Sequence, residues 1–300
     1  VEQGSSGILA PRPLLGYSAM LGNTVLIPIM AVAIKFLTNA EFSTIQILGW
    51  RSSLVLLVLL PFLLIPKFRQ ALRAADLKAH MIHATFSIGA MACFYYALRT
   101  LPIVTVTSIN FTTPTIAMVL ASLFYNEQVS GRGWLALGMG FLGALFILNP
   151  SFDGIRLDMI VVVIGSFLAA LTNLAVRRMP ARSSNFAVIF YLSCTGMVFF
   201  GLPGLADFRL PAGNQWVWLL VLGAVALGVH SFIIIAYRFA SSMLIGALDY
   251  LRIVWALGFG YFIFQETLSL LDITGILLIC TSGLVSVTSG GKAHLKSTGT

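Results

Sequence analysis

Ten apolar runs, separated by short stretches of charge, proline and glycine, pattern this chain: Leu14–Leu37, Ile45–Ile65, Met81–Leu98, Pro102–Phe124, Gly131–Leu148, Met159–Val176, Phe186–Leu205, Trp216–Phe239, Met243–Phe264 and Leu270–Val287. Apolar residues fill each run almost continuously instead of alternating with polar ones, which argues against the strands of a membrane barrel. Each run is close to the length that carries an α-helix across a hydrocarbon core roughly 30 Å thick. Within lipid, a helix satisfies every backbone polar group inside its own segment. The expectation is therefore an all-α polytopic membrane protein with ten transmembrane helices.

Composition excludes the main alternative. Of the 300 residues, 58% are hydrophobic and 9% charged, against about 45–50% and about 25% in soluble domains. A soluble globular enzyme would leave much of that apolar surface in water. The net charge of +8 would point to nucleic acid in a soluble chain, but membrane orientation accounts for it here, and the partners expected are the lipid bilayer and a small-molecule substrate. With the N-terminus cytoplasmic, that side holds Arg12, Lys67, Arg69, Arg73, Lys78, Arg132, Arg177, Arg178, Arg182, Arg238, Lys292 and Lys296, and the other side only Lys35, Arg99, Arg156 and Arg209. This asymmetry places both termini on the cytoplasmic side of the membrane. Arg51, near the start of the second run, and Arg252, inside the ninth, belong to no loop. Cys93, Cys194 and Cys280 lie within apolar runs without CxxC spacing and read as packing residues. No cleavable leader is expected before the first run, and the polar ends Val1–Gly7 and Gly290–Thr300 are set outside the fold.

The chain also repeats itself. Placing Ala97-Leu98-Arg99 on Ala236-Tyr237-Arg238, an offset of 139 residues, superposes Ala117 on Ala256, Glu127 on Glu266 and Ser130 on Ser269 without a gap. Five helices then fall in each half, residues 1–150 and 151–300. Because five is odd, the second half enters the membrane from the opposite side, which makes an inverted-topology repeat of the kind found in transporters.

The stretches Ala97-Leu98-Arg99-Thr100-Leu101-Pro102, Asn110-Phe111-Thr112-Thr113-Pro114 and Tyr125-Asn126-Glu127-Gln128-Val129-Ser130, the last followed by a glycine-rich helix, resemble the drug/metabolite transporter superfamily, in its EamA-like branch. Gln265-Glu266-Thr267-Leu268-Ser269 in the second half is similar to the same pattern. The departure is Ile253, which the offset places opposite Pro114, beside Arg252. The resemblance implies a secondary transporter and is greatest to bacterial exporters of aromatic and other amino acids. Multidrug carriers, or carriers of metabolites such as nucleosides and cofactors, are the alternative within the same class.

Several intramembrane polar residues are candidates for a substrate path. Asp249 and Arg252, at i and i+3 in the ninth helix, are expensive in lipid and must face protein or water. They form either a self-satisfied pair or a site for cargo, with Arg252 offering a guanidinium fork to a carboxylate and Asp249 accepting from an ammonium. The offset places Asp249 on Asn110, so polar groups sit at matching depth in helices four and nine. Asn110, Asn23 and Asn173 either line a cavity or hold neighbouring helices together. His83 and His230 fall within helices three and eight and either face the path or hydrogen-bond locally. Tyr95, Phe111 and Tyr250 would give cargo side chains an aromatic lining, in a cavity surrounded by helices one, three, four, six, eight and nine. Glu127 and Glu266, each followed three residues later by serine, read as helix-end turns in which the serine caps the next helix. Ala136, Gly140 and Ala144 recur every four residues and read as close helix packing, within the bundle or between protomers.

The chain contains no HExxH, GxSxG or nucleotide-binding loop, so neither an intramembrane enzyme nor an ATP-driven pump has a motif to rest on. No cofactor or metal is expected, and His80-x-x-His83 is too sparse a pattern for a metal site. A channel would carry a filter segment or a ring of like charges. The sequence leaves open whether the carrier is a monomer or a homodimer.

Overall fold

The computed structural model describes residues 13–73, 75–125, 131–148, 157–177, 184–206, 209–239 and 248–297. Among them every regular element is helical: α1 (Pro13–Asn39), α2 (Thr44–Leu59), α3 (Pro66–Arg73), α4 (Leu77–Ala97), α5 (Ile103–Asn110), α6 (Thr113–Tyr125), α7 (Gly131–Leu148), α8 (Leu157–Arg177), α9 (Asn185–Gly196), α10 (Gln215–Phe239), α11 (Arg252–Phe264) and α12 (Leu270–Ser297). Six described stretches are long and apolar enough to cross a membrane: α1, α2 with its extension to Leu64, the α5–α6 pair, α8, α9 with its extension to Leu205, and α10. Shorter apolar helices are α11 and the first part of α12. Large apolar side chains such as Leu57, Phe141, Phe262 and Leu220 point outward, as lipid-facing positions must.

Local chemistry sets the boundaries. Glu41 adopts φ 66° as α1 turns into α2. Ser43 then caps α2: its Oγ accepts from Gln46 N at 3.2 Å while its own N–H donates to Gln46 Oε1 at 2.9 Å, a reciprocal capping box. Asp76 caps α4 through Ala79 N at 3.2 Å. At the other end of the chain, Ser269 and Asp272 cap α12, which bears out the capping role read for that serine. Glu127, Ser130 and Arg178 lie outside the described residues.

Four features depart from the sequence reading. The fourth run is two helices, broken at Phe111–Thr112. Pro114 has no N–H to give the Asn110 carbonyl four residues back, and its ring crowds that carbonyl, so α5 ends at Asn110. In the ninth run, Tyr250 and Leu251 form a turn ahead of α11, and Asp249 and Arg252 flank it. The basic segment after the second run is not loop but the short helix α3: Phe68 packs on Phe62 and Phe186, at 5.4 and 4.7 Å between ring centroids, and Lys67, Arg69 and Arg73 stay exposed. Finally, α12 runs on to Ser297 through residues read as a polar tail.

Packing pairs α1 with α10, α4 with α8, and α7 with α12. The largest buried cluster joins Ile34, Leu37, Phe42, Leu101, Ile103 and Leu219 where α1 ends and α5 and α10 begin. Gly140 meets Ser282 of α12, and a methyl added at Gly143 would come within 2.7 Å of the Gly275 carbonyl oxygen. The small-residue spacing of α7 thus serves contact inside the bundle at Gly140. Replacing Gly143 by valine is expected to destabilise the protein by about 2 kcal/mol through overpacking. Gly138→Val, at a position with nothing within 4 Å, should leave the thermal midpoint in detergent unchanged.

Candidate functional site

The two helix breaks meet. Phe111, at the end of α5, and Tyr250, just before α11, stack with centroids 4.6 Å apart and planes at 21°. Arg252, the first residue of α11, places its Cζ 4.6 Å from the Phe111 ring centroid, within cation–π range. Its Nη2 lies 3.5 Å from Asn110 Oδ1 and 3.5 Å from Asp249 Oδ2. Five sequence candidates, Asn110, Phe111, Asp249, Tyr250 and Arg252, therefore form one group on two broken helices.

This group has spare valence. Its two polar contacts are at the outer edge of hydrogen-bonding distance, and both draw on a single nitrogen of Arg252. Asp249 Oδ1, Tyr250 OH and Arg252 Nε are buried without a partner, although buried polar atoms in folded proteins are ordinarily satisfied. The group thus presents one acceptor, one donor on a cation and one hydroxyl, all unspent, beside an aromatic face.

A second polar group lies on α2, α4 and α10. Arg51 is 2% exposed, with Nη2 3.2 Å from His230 Nε2. Arg51 and His83 act electrostatically on His230, and Arg51 on Tyr95. Tyr95 is buried and its hydroxyl approaches Met30 Sδ at 3.6 Å. His230 thus lies beside an arginine that the sequence reading left without a role, with His83 and Tyr95 on α4 within electrostatic reach. The available signal was an arginine in an apolar run with no acid in the same helix. Asn23 is buried on α1 with Oδ1 unpartnered, at the level of His230, since Gly22 faces Phe232 and Leu26 faces Gly228 across the α1–α10 contact. Asn173 is exposed on α8 and joins neither group. His80 binds the Asp76 carbonyl through Nδ1 at 2.8 Å, and no group of three metal-ligating side chains is present among the described residues.

The third feature closes one end of the bundle. Lys35, near the end of α1, pairs with Glu266, just after α11, and Glu266 Oε2 also accepts from Ile103 N at 2.9 Å at the start of α5. Phe36 stacks on Trp218 of α10 at 4.2 Å and packs against Phe264 at 5.3 Å. Sequence reading made Glu266 a turn residue; here it ties three helices together. A groove of ≈ 510 Å³ runs along the outside of this closure, lined by Val104, Gly258, Tyr261, Phe262 and Glu266.

A bundle of apolar helices with broken helices meeting at buried, unspent charges defines a polytopic membrane protein of the carrier type. Its sequence matches the EamA-like transporter family over residues 14–149 and again over 157–288, and the chain belongs to that family. It is 25% identical to the pseudopaline exporter of Pseudomonas aeruginosa over 80% of this chain and 85% of that one. To the S-adenosylmethionine uptake transporter of Rickettsia felis it is 24% identical, over 79% and 80%. To the riboflavin transporter of Vibrio cholerae it is 30% identical, over 57% and 58%. One crystal structure of a protein superposes with a TM-score of 0.62 at 15% identity, covering 91% of this chain and 98% of that one, which shows a shared fold. The chain is accordingly a transporter of small molecules and not an enzyme. The relatives' names include both uptake and export, and three unlike cargoes.

Proposed function

We propose that this protein is a secondary carrier that exports amino acids across the bacterial inner membrane by alternating access of two inverted five-helix halves, residues 1–150 and 151–300. The observation that carries this reading is the Asp249–Arg252–Asn110 group with its unspent Asp249 Oδ1 and Arg252 Nε. An α-amino acid brings an ammonium for the first and a carboxylate for the second, and a fixed pair of opposite charges replaces the water around both. Its side chain lies against Phe111 and Tyr250, where packing tolerates many shapes.

Support for the inverted halves comes from the same site. The offset of 139 residues carries Asn110 onto Asp249 and Phe111 onto Tyr250, and it carries the start of α7 at Gly131 onto that of α12 at Leu270. The family pattern occurs once in each half. Exchanging the halves turns the α1–α10 contact into the α8–α4 contact, both present. In the positive-inside orientation with both termini cytoplasmic, the Lys35–Glu266 closure lies on the outer side, and the two halves rock about the site between them.

Two measurements test this. Counterflow of labelled amino acids in proteoliposomes should saturate with cargo, and repeating it under an imposed pH gradient reports proton coupling; absence of counterflow for every amino acid overturns the cargo. Impermeant thiol labelling of cysteines placed at Arg73 and Arg178 should find both on the cytoplasmic side, whereas opposite sides would overturn the topology.

A further inference from the structure

Arg51 is a buried cation to which the described residues offer no counter-charge. The described carboxylates in ion pairs with described cations are Glu266, Glu41 and Asp249, held by Lys35, Arg209 and Arg252. Among the described residues Arg51 has only the ring nitrogen of His230 at 3.2 Å, and its Nε is buried with no partner. A guanidinium donates and never accepts, so His230 Nε2 is the acceptor and the imidazole proton sits on Nδ1. The histidine beside Arg51 is therefore neutral and brings no negative charge. Burying an uncompensated cation within a membrane bundle is strongly unfavourable, yet α2, which contains no acid, keeps an arginine there.

We propose that Arg51, with neutral His230 and the nearby Tyr95, forms a carboxylate-binding centre inside the bundle, separate from the Asp249–Arg252–Asn110 group. The charge balance selects the ligand class. One guanidinium neutralises the single negative charge of one carboxylate group, whereas a phosphate dianion concentrates two charges on one group. The planar fork matches a planar carboxylate and gains nothing from a spherical halide. This inference rests on the carrier reading and narrows it: cargo seated at Arg51 carries an acidic group beyond those the Asp249 group needs, as in a dicarboxylic amino acid.

The test uses the full-length protein in lipid nanodiscs, with thermal unfolding followed in chloride-free buffer against glutarate, a dicarboxylate without an amine. Glutarate should raise the midpoint of the wild-type protein and of the double variant Arg252→Met, Asp249→Asn, with Arg51→Gln requiring at least tenfold more ligand. Arg51→Lys, which keeps the charge and loses the fork, should also need several-fold more, and it serves if the glutamine variant does not fold. Without ligand, Arg51→Gln should be at least as stable as wild type, because an unpaired buried charge has been removed. The proposal is overturned if glutarate gives no shift, if the shift survives unchanged in both Arg51 variants, or if chloride or phosphate reproduces it. Glutarate binding that depends on Arg51, together with no counterflow of any amino acid, keeps this centre and overturns the proposed cargo. The reverse result overturns this centre alone.

Discussion

Arg252→Met is expected to abolish counterflow of amino acids, raising the apparent half-saturation at least roughly a hundredfold, the equivalent of about 3 kcal/mol for charge-assisted hydrogen bonds to a carboxylate. Arg252 is the only one of the five clustered residues that is cationic, and its side chain is 11% exposed. Removing it also leaves Asp249 without its partner at 3.5 Å. Breaking a buried pair in this way destabilises by several kcal/mol, and less here because Asp249 keeps 30% of its side chain exposed. The single variant therefore confounds folding with recognition. The double variant Arg252→Met, Asp249→Asn separates them, since it contains no stranded charge. It should restore the wild-type unfolding midpoint to within about 1 kcal/mol and remain inactive. Recovery of transport along with stability would make the pair a purely structural device and leave recognition to the aromatic face.

Glu266→Gln is expected to shift the carrier towards the state open at the Lys35 end by roughly ten- to a hundredfold. Glu266 holds Lys35 of α1 and the Ile103 amide of α5 at once, so its charge is used only while those helices are together. Opening releases both partners to water, where they are solvated again. The side chains of Lys35 and Glu266 are 14% and 9% exposed in the closed arrangement, and the coupling lost is therefore that of a mostly desolvated pair, about 1.5–3 kcal/mol. The measurement is alkylation of a cysteine placed at Phe36, in a background with Cys93, Cys194 and Cys280 replaced by alanine, by an impermeant maleimide added from outside. The rate should rise in Glu266→Gln and in Lys35→Met by similar factors. An unchanged rate in both would mean that the Lys35–Glu266 pair does not hold this end shut.

Hydrophobic periodicity and length determined, without any structure, that the chain is helical and built for lipid, because within a bilayer the backbone has no partner but itself. The offset of 139 residues paired Asn110 with Asp249, and both of them contact Arg252. The helix breaks were only half legible: Pro114 carries a local reason for one, but the turn at Tyr250–Leu251 has no proline and forms where Tyr250 stacks on Phe111, 139 residues earlier in the chain. Tertiary structure alone decided the remaining partnerships. Arg51 and His230 are 179 residues apart and Lys35 and Glu266 are 231 apart, so no local pattern relates them. A charge within an apolar run announces that it needs a partner, since lipid offers none. Which group answers it depends on how the helices pack, and that is set by shape across the whole bundle rather than by neighbours along the chain.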